Sequence, residues 1–128
     1  MSKKRVLVID DEINFGLLIK LSLQEEGDFE VAIAGDGKTG LRMAKEIKPH
    51  LILLDILMPG LSGLEVLKRL KEDLETLSIP VAMFTAVTDH QSKVEASQLF
   101  DEDYIMKPVE MATLIVRVRE ILKRKGIE

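Results

Sequence analysis

Val6-Leu7-Val8-Ile9-Asp10-Asp11-Glu12 is the stretch that decides the fold. Four apolar residues run without a break, and three carboxylates follow at once. A strand with one wet face would alternate. An unbroken apolar block this short suits a strand covered on both faces, as in the interior of a parallel sheet. Two more blocks repeat the pattern: Leu51-Ile52-Leu53-Leu54 runs into Asp55, and Val81-Ala82-Met83-Phe84 runs into Thr85. Phe29-Glu30-Val31-Ala32-Ile33 alternates large apolar with small or charged residues, which suits a strand nearer an edge. Tyr104-Ile105-Met106 is a shorter fifth candidate, closed by Lys107 and Pro108.

Helical spacing fills the intervals. Phe15, Leu18 and Leu21, with Leu17 beside them, precede Gly27, and Leu41, Ala44 and Ile47 precede Pro49. Leu64, Leu67, Leu70 and Leu74 make a third stripe. Met111, Leu114, Ile115, Val118, Ile121 and Leu122 make the clearest one, running to Gly126. Residues 89–100 read as a polar helix with only Val94 and Leu99 as apolar support. Strand and helix alternating five times predict an α/β fold, (βα)5, with an open parallel sheet covered on both sides. No linker or repeat interrupts the chain, so residues 1–128 read as a single domain.

Composition narrows the function classes. The 46% apolar content is ample for a core, and 31% charged residues argue against disorder. Lys and Arg number 18 against 22 Asp and Glu, a net charge of −4, the wrong sign for gripping nucleic-acid phosphates. With no cysteine, a disulfide scaffold, a thiol catalyst and a Cys-ligated metal site are excluded. His50 and His90, the only two histidines, read as lone surface residues, and Met83, Met106 and Met111 as core filler. Runs such as 51–54 are too short to span a bilayer, and the basic start is followed by only four apolar residues before Asp10. The expectation is a cytoplasmic protein without membrane contact.

In an open α/β sheet the functional crevice lies outside the carboxyl ends of the strands. Asp10, Asp11 and Glu12 follow the first strand, Asp55 the third, Thr85 the fourth and Lys107 the fifth. Carboxylates gathered from two strand ends raise one another's pKa unless a cation joins them. A hard divalent ion with oxygen ligands, Mg²⁺ above all, answers that need. Lys107 and the Thr85 hydroxyl add a point charge and a donor, which suits a tetrahedral anion beside a metal. Any one of these residues alone would be ordinary loop polarity. The same chemistry at four strand ends is not.

These residues resemble the signature blocks of bacterial two-component response-regulator receiver domains. The blocks are 6–12, Leu53-Leu54-Asp55-Ile56-Leu57-Met58-Pro59-Gly60, Phe84-Thr85-Ala86 and Tyr104-Ile105-Met106-Lys107-Pro108, in the family's order and spacing, and the likeness runs over residues 5–125. The resemblance implies a flavodoxin-like sheet in the order 2-1-3-4-5 and a signalling switch that assists its own phosphoryl transfer. Asp55 matches the acceptor of a phosphoryl group from a sensor histidine kinase or phosphotransfer protein. Asp11 matches the direct Mg²⁺ ligand, Asp10 its acidic neighbour acting through water, and the Leu57 backbone carbonyl and Asp55 complete the implied metal set. Lys107 matches the lysine that pairs with the phosphoryl oxygens, before a cis-proline bond at Pro108. Thr85 matches the switch hydroxyl and Tyr104 the aromatic switch.

By the same likeness, the fourth helix, fifth strand and fifth helix form the output surface. A homodimer through that surface on phosphorylation would pair Lys93, Asp103, Arg117 and Arg119. Leu57 and Val87 match the positions flanking the path of the attacking water, and both are apolar, which implies a long-lived phosphoryl group. Phe100-Asp101 stands where Gly-Ala is common, Val109 replaces a common Phe, and His50 sits where Asp is frequent.

Three other readings are weaker. Gly37-Lys38-Thr39 imitates the end of a phosphate-binding loop, but the first glycine of that motif would fall on Ala32, inside a strand. An FMN carrier of the same topology would want a Ser/Thr-rich phosphate loop where this chain has Asp10-Asp11-Glu12. The basic residues Arg117, Arg119, Lys123, Arg124 and Lys125 sit near a helix C-terminus, where cations complement the dipole, and no aromatics interleave them. Direct nucleic-acid binding is not expected.

Overall fold

The computed structural model describes residues 2–86 and 102–127. Strands β1 (Lys4–Ile9), β2 (Phe29–Ala34), β3 (Leu51–Asp55), β4 (Val81–Thr85) and β5 (Asp103–Met106) form one parallel sheet in the order β2-β1-β3-β4-β5. Helix α1 (Ile13–Glu25) and the C-terminal helix (Met111–Arg124) cover one face, and α2 (Gly37–Ile47) and α3 (Gly63–Glu72) the other. The helix expected at 89–100, and with it Val87, His90, Lys93 and Phe100, lies outside the described residues.

The unbroken apolar blocks are explained by this layering. Val6 and Val8 face the core beneath α1 and the C-terminal helix, while Leu7 and Ile9 face the core beneath α2 and α3. Leu51 and Leu53 divide from Ile52 and Leu54 in the same way. Each fully buried side chain of this size contributes about 1.5–3 kcal/mol, so both faces are needed to hold the central strands.

Helix α1 departs from the expected phase. Its buried residues are Gly16, Ile19 and Leu23, whereas Leu17, Leu18 and Leu21 are 45%, 49% and 68% exposed. Gly16 accounts for the rotation. A Cβ there would lie 3.1 Å from Cγ2 of Ile33, so the helix approaches β2 on its glycine side and turns the leucines outward. The third stripe also overruns: α3 ends at Glu72, Asp73 is extended, and Leu74 is 91% exposed. Instead the Thr76 hydroxyl donates to the Leu70 carbonyl at 2.7 Å and closes the turn. Met106, on edge strand β5, is exposed rather than core.

His50 is not a lone surface residue. Its Nδ1 accepts the Arg5 N–H at 2.9 Å while its own N–H donates to the Arg5 carbonyl at 2.8 Å, extending the ladder one residue ahead of β3. Burial, then the charges of Arg5 and Lys4, push its pKa down and favour the neutral ring that this contact requires. Gly37-Lys38-Thr39 opens α2 beneath Asp36, whose carboxylate accepts the Thr39 N–H at 2.8 Å and hydroxyl at 2.9 Å. A phosphate loop would need that helix end for its anion, and a carboxylate already caps it. Among the described residues no helix is long and apolar enough to cross a membrane.

Candidate functional site

The strand register brings the chemistry-bearing residues to one end of the sheet. Asp55 closes β3 and is in register with Phe84 of β4, one residue before Thr85, while Thr85 is in register with Met106, one residue before Lys107. Asp10 follows β1 directly, and its N–H donates to the Ala34 carbonyl at 3.0 Å, continuing the pairing with β2. The carboxylate of Asp10 is fully buried and satisfied on both oxygens: Oδ1 accepts the Glu12 N–H at 2.9 Å and Oδ2 accepts from Lys107 Nζ at 3.0 Å. Asp11 is exposed, and Asp55 is 7% exposed.

Lys107 stands at the centre of this acidic group. Its Nζ is 3.0 Å from Asp10, 3.1 Å from Glu12 and 3.6 Å from Asp55. The Lys107 N–H donates to the Thr85 carbonyl at 2.6 Å, and the Lys107–Pro108 peptide bond is cis. Thr85 itself is buried. Tyr104 is half-buried against the core of α2 and α3, and its backbone carbonyl accepts from Arg117 at 3.1 Å. Since Tyr104 is in register with Met83, two residues before Thr85, strand alternation puts Thr85 and Tyr104 on one face of the sheet. Leu57 lies in the loop after β3 with its side chain 58% exposed.

Electrostatics follow from this crowding. Burial pushes the Asp55 carboxyl up to about 7, and the charges of Asp10, Asp11 and Glu12 add to the rise against the pull of Lys107. Burial alone would lower the Lys107 ammonium, but its hydrogen bonds to Asp10 and Glu12 and the charges of Asp10 and Asp55 outweigh that and hold its pKa above the ordinary value. One oxygen each from Asp10, Asp11 and Asp55 lie within 4.8 Å of one another. Three hard oxygen donors, one of them reluctant to ionise, fit a divalent cation that keeps some of its waters.

Two supporting residues lie outside the site that the sequence predicts. Gly63 starts α3 against the end of β3, its N–H donating to the Ile56 carbonyl at 2.8 Å. A Cβ there would sit 2.1 Å from the Asp55 carbonyl oxygen, so only glycine lets the helix meet the strand. The Ser62 cap, accepting the Glu65 N–H at 3.3 Å, was the available cue to this helix start. Phe15, read as a helix core position, sits beside Lys107 with its ring centroid 4.5 Å from Nζ. Of the charges expected to meet across a dimer, Asp103, Arg117 and Arg119 have partners within the chain, and Lys93 lies outside the described residues. Asp103 pairs with Arg124, Arg117 with Glu120, and Arg119 with Asp28 and Glu26, which raise its pKa further.

The family model for the response regulator receiver domain matches residues 6–119. DNA-binding response regulator MtrA of Mycobacterium tuberculosis (strain ATCC 25618 / H37Rv) is 36% identical over 126 residues, which cover 98% of this chain and 54% of that protein. DNA-binding dual master transcriptional regulator RpaA of Synechocystis sp. is 36% identical over 120 residues, covering 94% of this chain and 49% of that one. The chain thus spans about half the length of these regulators. The solved structure of a CheY-like response regulator receiver domain protein from Methanospirillum hungatei JF-1 superposes with a TM-score of 0.88 at 29% identity, covering 98% of each chain. The sheet order, the acidic strand ends and this match over most of its length agree, and the chain belongs to the response-regulator receiver domain family, whose role is in signalling.

Proposed function

We propose that residues 1–128 form one receiver unit that takes a phosphoryl group onto Asp55 from the phosphohistidine of a sensor histidine kinase or a phosphotransfer protein. One observation carries this reading: the buried Asp55 carboxylate lies 3.6 Å from the Lys107 ammonium, inside the same cluster as Asp10 and Asp11. The nucleophile is an ionised Asp55 oxygen. Its bond to phosphorus forms as the donor's bond to phosphorus breaks. Lys107 offsets charge on the transferred oxygens, so the protein contributes positioning and electrostatics rather than acid–base work. Mg²⁺ held by Asp10, Asp11, Asp55 and the Leu57 backbone carbonyl supplies the remaining positive charge when bound. Thr85 follows the new charge with its hydroxyl, and Tyr104, on the same sheet face, transmits the shift toward the surface of β5 and the C-terminal helix.

Partner docking has support beside the site. Ile13, Leu17, Leu18 and Leu21 are exposed on α1, the helix that begins next to Glu12, and offer an apolar surface to a phosphodonor protein. The relatives bind DNA, but this chain's net charge of −4 favours protein partners over direct nucleic-acid contact. We place it in the cytoplasm, with homodimerisation through the output surface as the consequence of phosphorylation.

Beryllofluoride, which mimics a phosphoryl group, tests the reading. Amide spectra should change around Asp55, Thr85 and Lys107 only when Mg²⁺ is also present, and Asp55→Asn should abolish the change. A response that persists in Asp55→Asn contradicts the assignment.

A further inference from the structure

We propose that Phe15 is a positioning residue of this site, its ring acting with that of Phe84 to hold the Lys107 ammonium in place. The proposal rests on the reading of Asp55 as phosphoacceptor. Lys107 Nζ lies 4.5 Å from the Phe15 ring centroid and 5.5 Å from that of Phe84, and the two rings meet edge-on at 5.2 Å and 71°. Phe84 is 1% exposed and Phe15 is half-buried, so the cation–ring contacts are largely shielded from water, where they are strongest.

The chemistry explains why rings rather than a further carboxylate suit this place. An ammonium has three N–H donors. Asp10 and Glu12 accept two of them, at 3.0 and 3.1 Å, while Asp55 at 3.6 Å lies beyond hydrogen-bond distance. A third close oxygen would take the remaining donor. An aromatic face attracts the charge through its quadrupole without needing a directed N–H, so one donor stays available for a phosphoryl oxygen on Asp55.

The fold supplies the aim. Gly16, next in the chain, presses α1 against Ile33 of β2, and that contact sets the helix rotation which turns Phe15 toward Lys107. Phe84 comes from β4 and lies on the sheet face that it shares with Ile105, two residues before Lys107. Two elements distant in sequence therefore bracket one side chain.

The test replaces Phe15 in the full chain with 4-fluoro-, 3,5-difluoro- and 3,4,5-trifluorophenylalanine, which keep the ring's shape while draining its quadrupole. Acetyl phosphate with Mg²⁺ is the donor: the Asp55 oxygen–phosphorus bond forms as the phosphorus–oxygen bond to acetate breaks and acetate leaves. The rate constant should fall stepwise, by about five- to tenfold across the series, at unchanged melting temperature. Phe15→Leu should be slower still and Phe15→Tyr close to wild type, and the ring-current shift of the Lys107 ε-protons should vanish in Phe15→Leu. Should Phe15→Leu not fold, the fluorinated series alone decides. A flat series with Asp55 labelled overturns the role of Phe15 and leaves the phosphoacceptor reading standing. A wild-type protein that takes no label at Asp55 overturns both.

Discussion

Lys107 Nζ lies 3.0 Å from Asp10 and 3.6 Å from Asp55, so the lysine rests on the neighbour of the proposed acceptor rather than on the acceptor. Asp10 therefore acts on Asp55 in two ways, as a repelling charge and as a competitor for the ammonium. Replacing Asp10 with Asn removes both. The metal-free Asp55 carboxyl, raised to about 7 in the native chain, should then titrate distinctly lower, as followed by carboxyl carbon NMR. Lys107→Ala should move it the other way. An Asp55 midpoint indifferent to Asp10 would show that Asp10 has no part in setting it.

The same carboxyl makes stability depend on pH. Asp55 titrates near 3.8 when unfolded and near 7 when folded without metal, so the folded state keeps a proton that the unfolded state has lost. Its contribution is full at pH values below 3.8, declines as pH rises from there to about 7, and levels off above that. The loss is on the order of 4 kcal/mol if the whole shift is expressed. Urea titrations in EDTA should show this slope, Asp55→Asn should remove it, and saturating Mg²⁺ should flatten it by favouring the ionised form.

Gly63→Ala should be far more damaging than Gly40→Ala. At position 63 the added carbon would meet backbone, 2.1 Å from the Asp55 oxygen and 2.6 Å from the Ile56 Cα, whereas at position 40 it meets only the Ile9 side chain, at 2.6 Å and beyond. Backbone cannot rotate away. The expected cost for Gly63→Ala is about 3 kcal/mol or more, read as a lower urea midpoint, and a variant that does fold should also lose Mg²⁺ affinity because Asp55 has been displaced.

Leu57 gives a kinetic expectation. Its exposed side chain beside the acceptor has no group with which to orient an attacking water. Leu57→Asn should release phosphate about tenfold faster than wild type. Val87, the second position expected to gate water, lies outside the described residues, and Val87→Glu is the companion variant. Phosphate release followed after donor removal checks both, and unchanged rates would mean that no such gate exists.

The sheet was legible because its strands are buried on both faces: residues 51–54 and 81–84 have no polar residue whose placement could mislead. The acidic site was legible because its residues follow those blocks directly, so strand ends and site coincide. Helix α1 was not. Leu17, Leu18 and Leu21 look like core positions, yet Gly16 wins the contact with Ile33, and a preference created by a missing side chain leaves no mark in an apolar pattern. Phe15 does pack against the core as its spacing implies, but its contact with Lys107 joins residues far apart in sequence and leaves no mark in that spacing. Gly63 is invisible to periodicity because its role is to leave room for backbone from another element. His50 was missed because its acceptor role pairs it with Arg5, 45 residues away in sequence.

Mapping the phosphoryl group tests the central claim most directly. After treatment with acetyl phosphate and Mg²⁺, an acyl phosphate can be trapped by borohydride, which reduces the modified aspartate to homoserine, and the position is read by peptide mass spectrometry. The expected result is a single homoserine at position 55, absent without Mg²⁺ and absent in Asp55→Asn. A label at Asp10 or Asp11, or an unmodified Asp55 under conditions that consume the donor, would contradict the account.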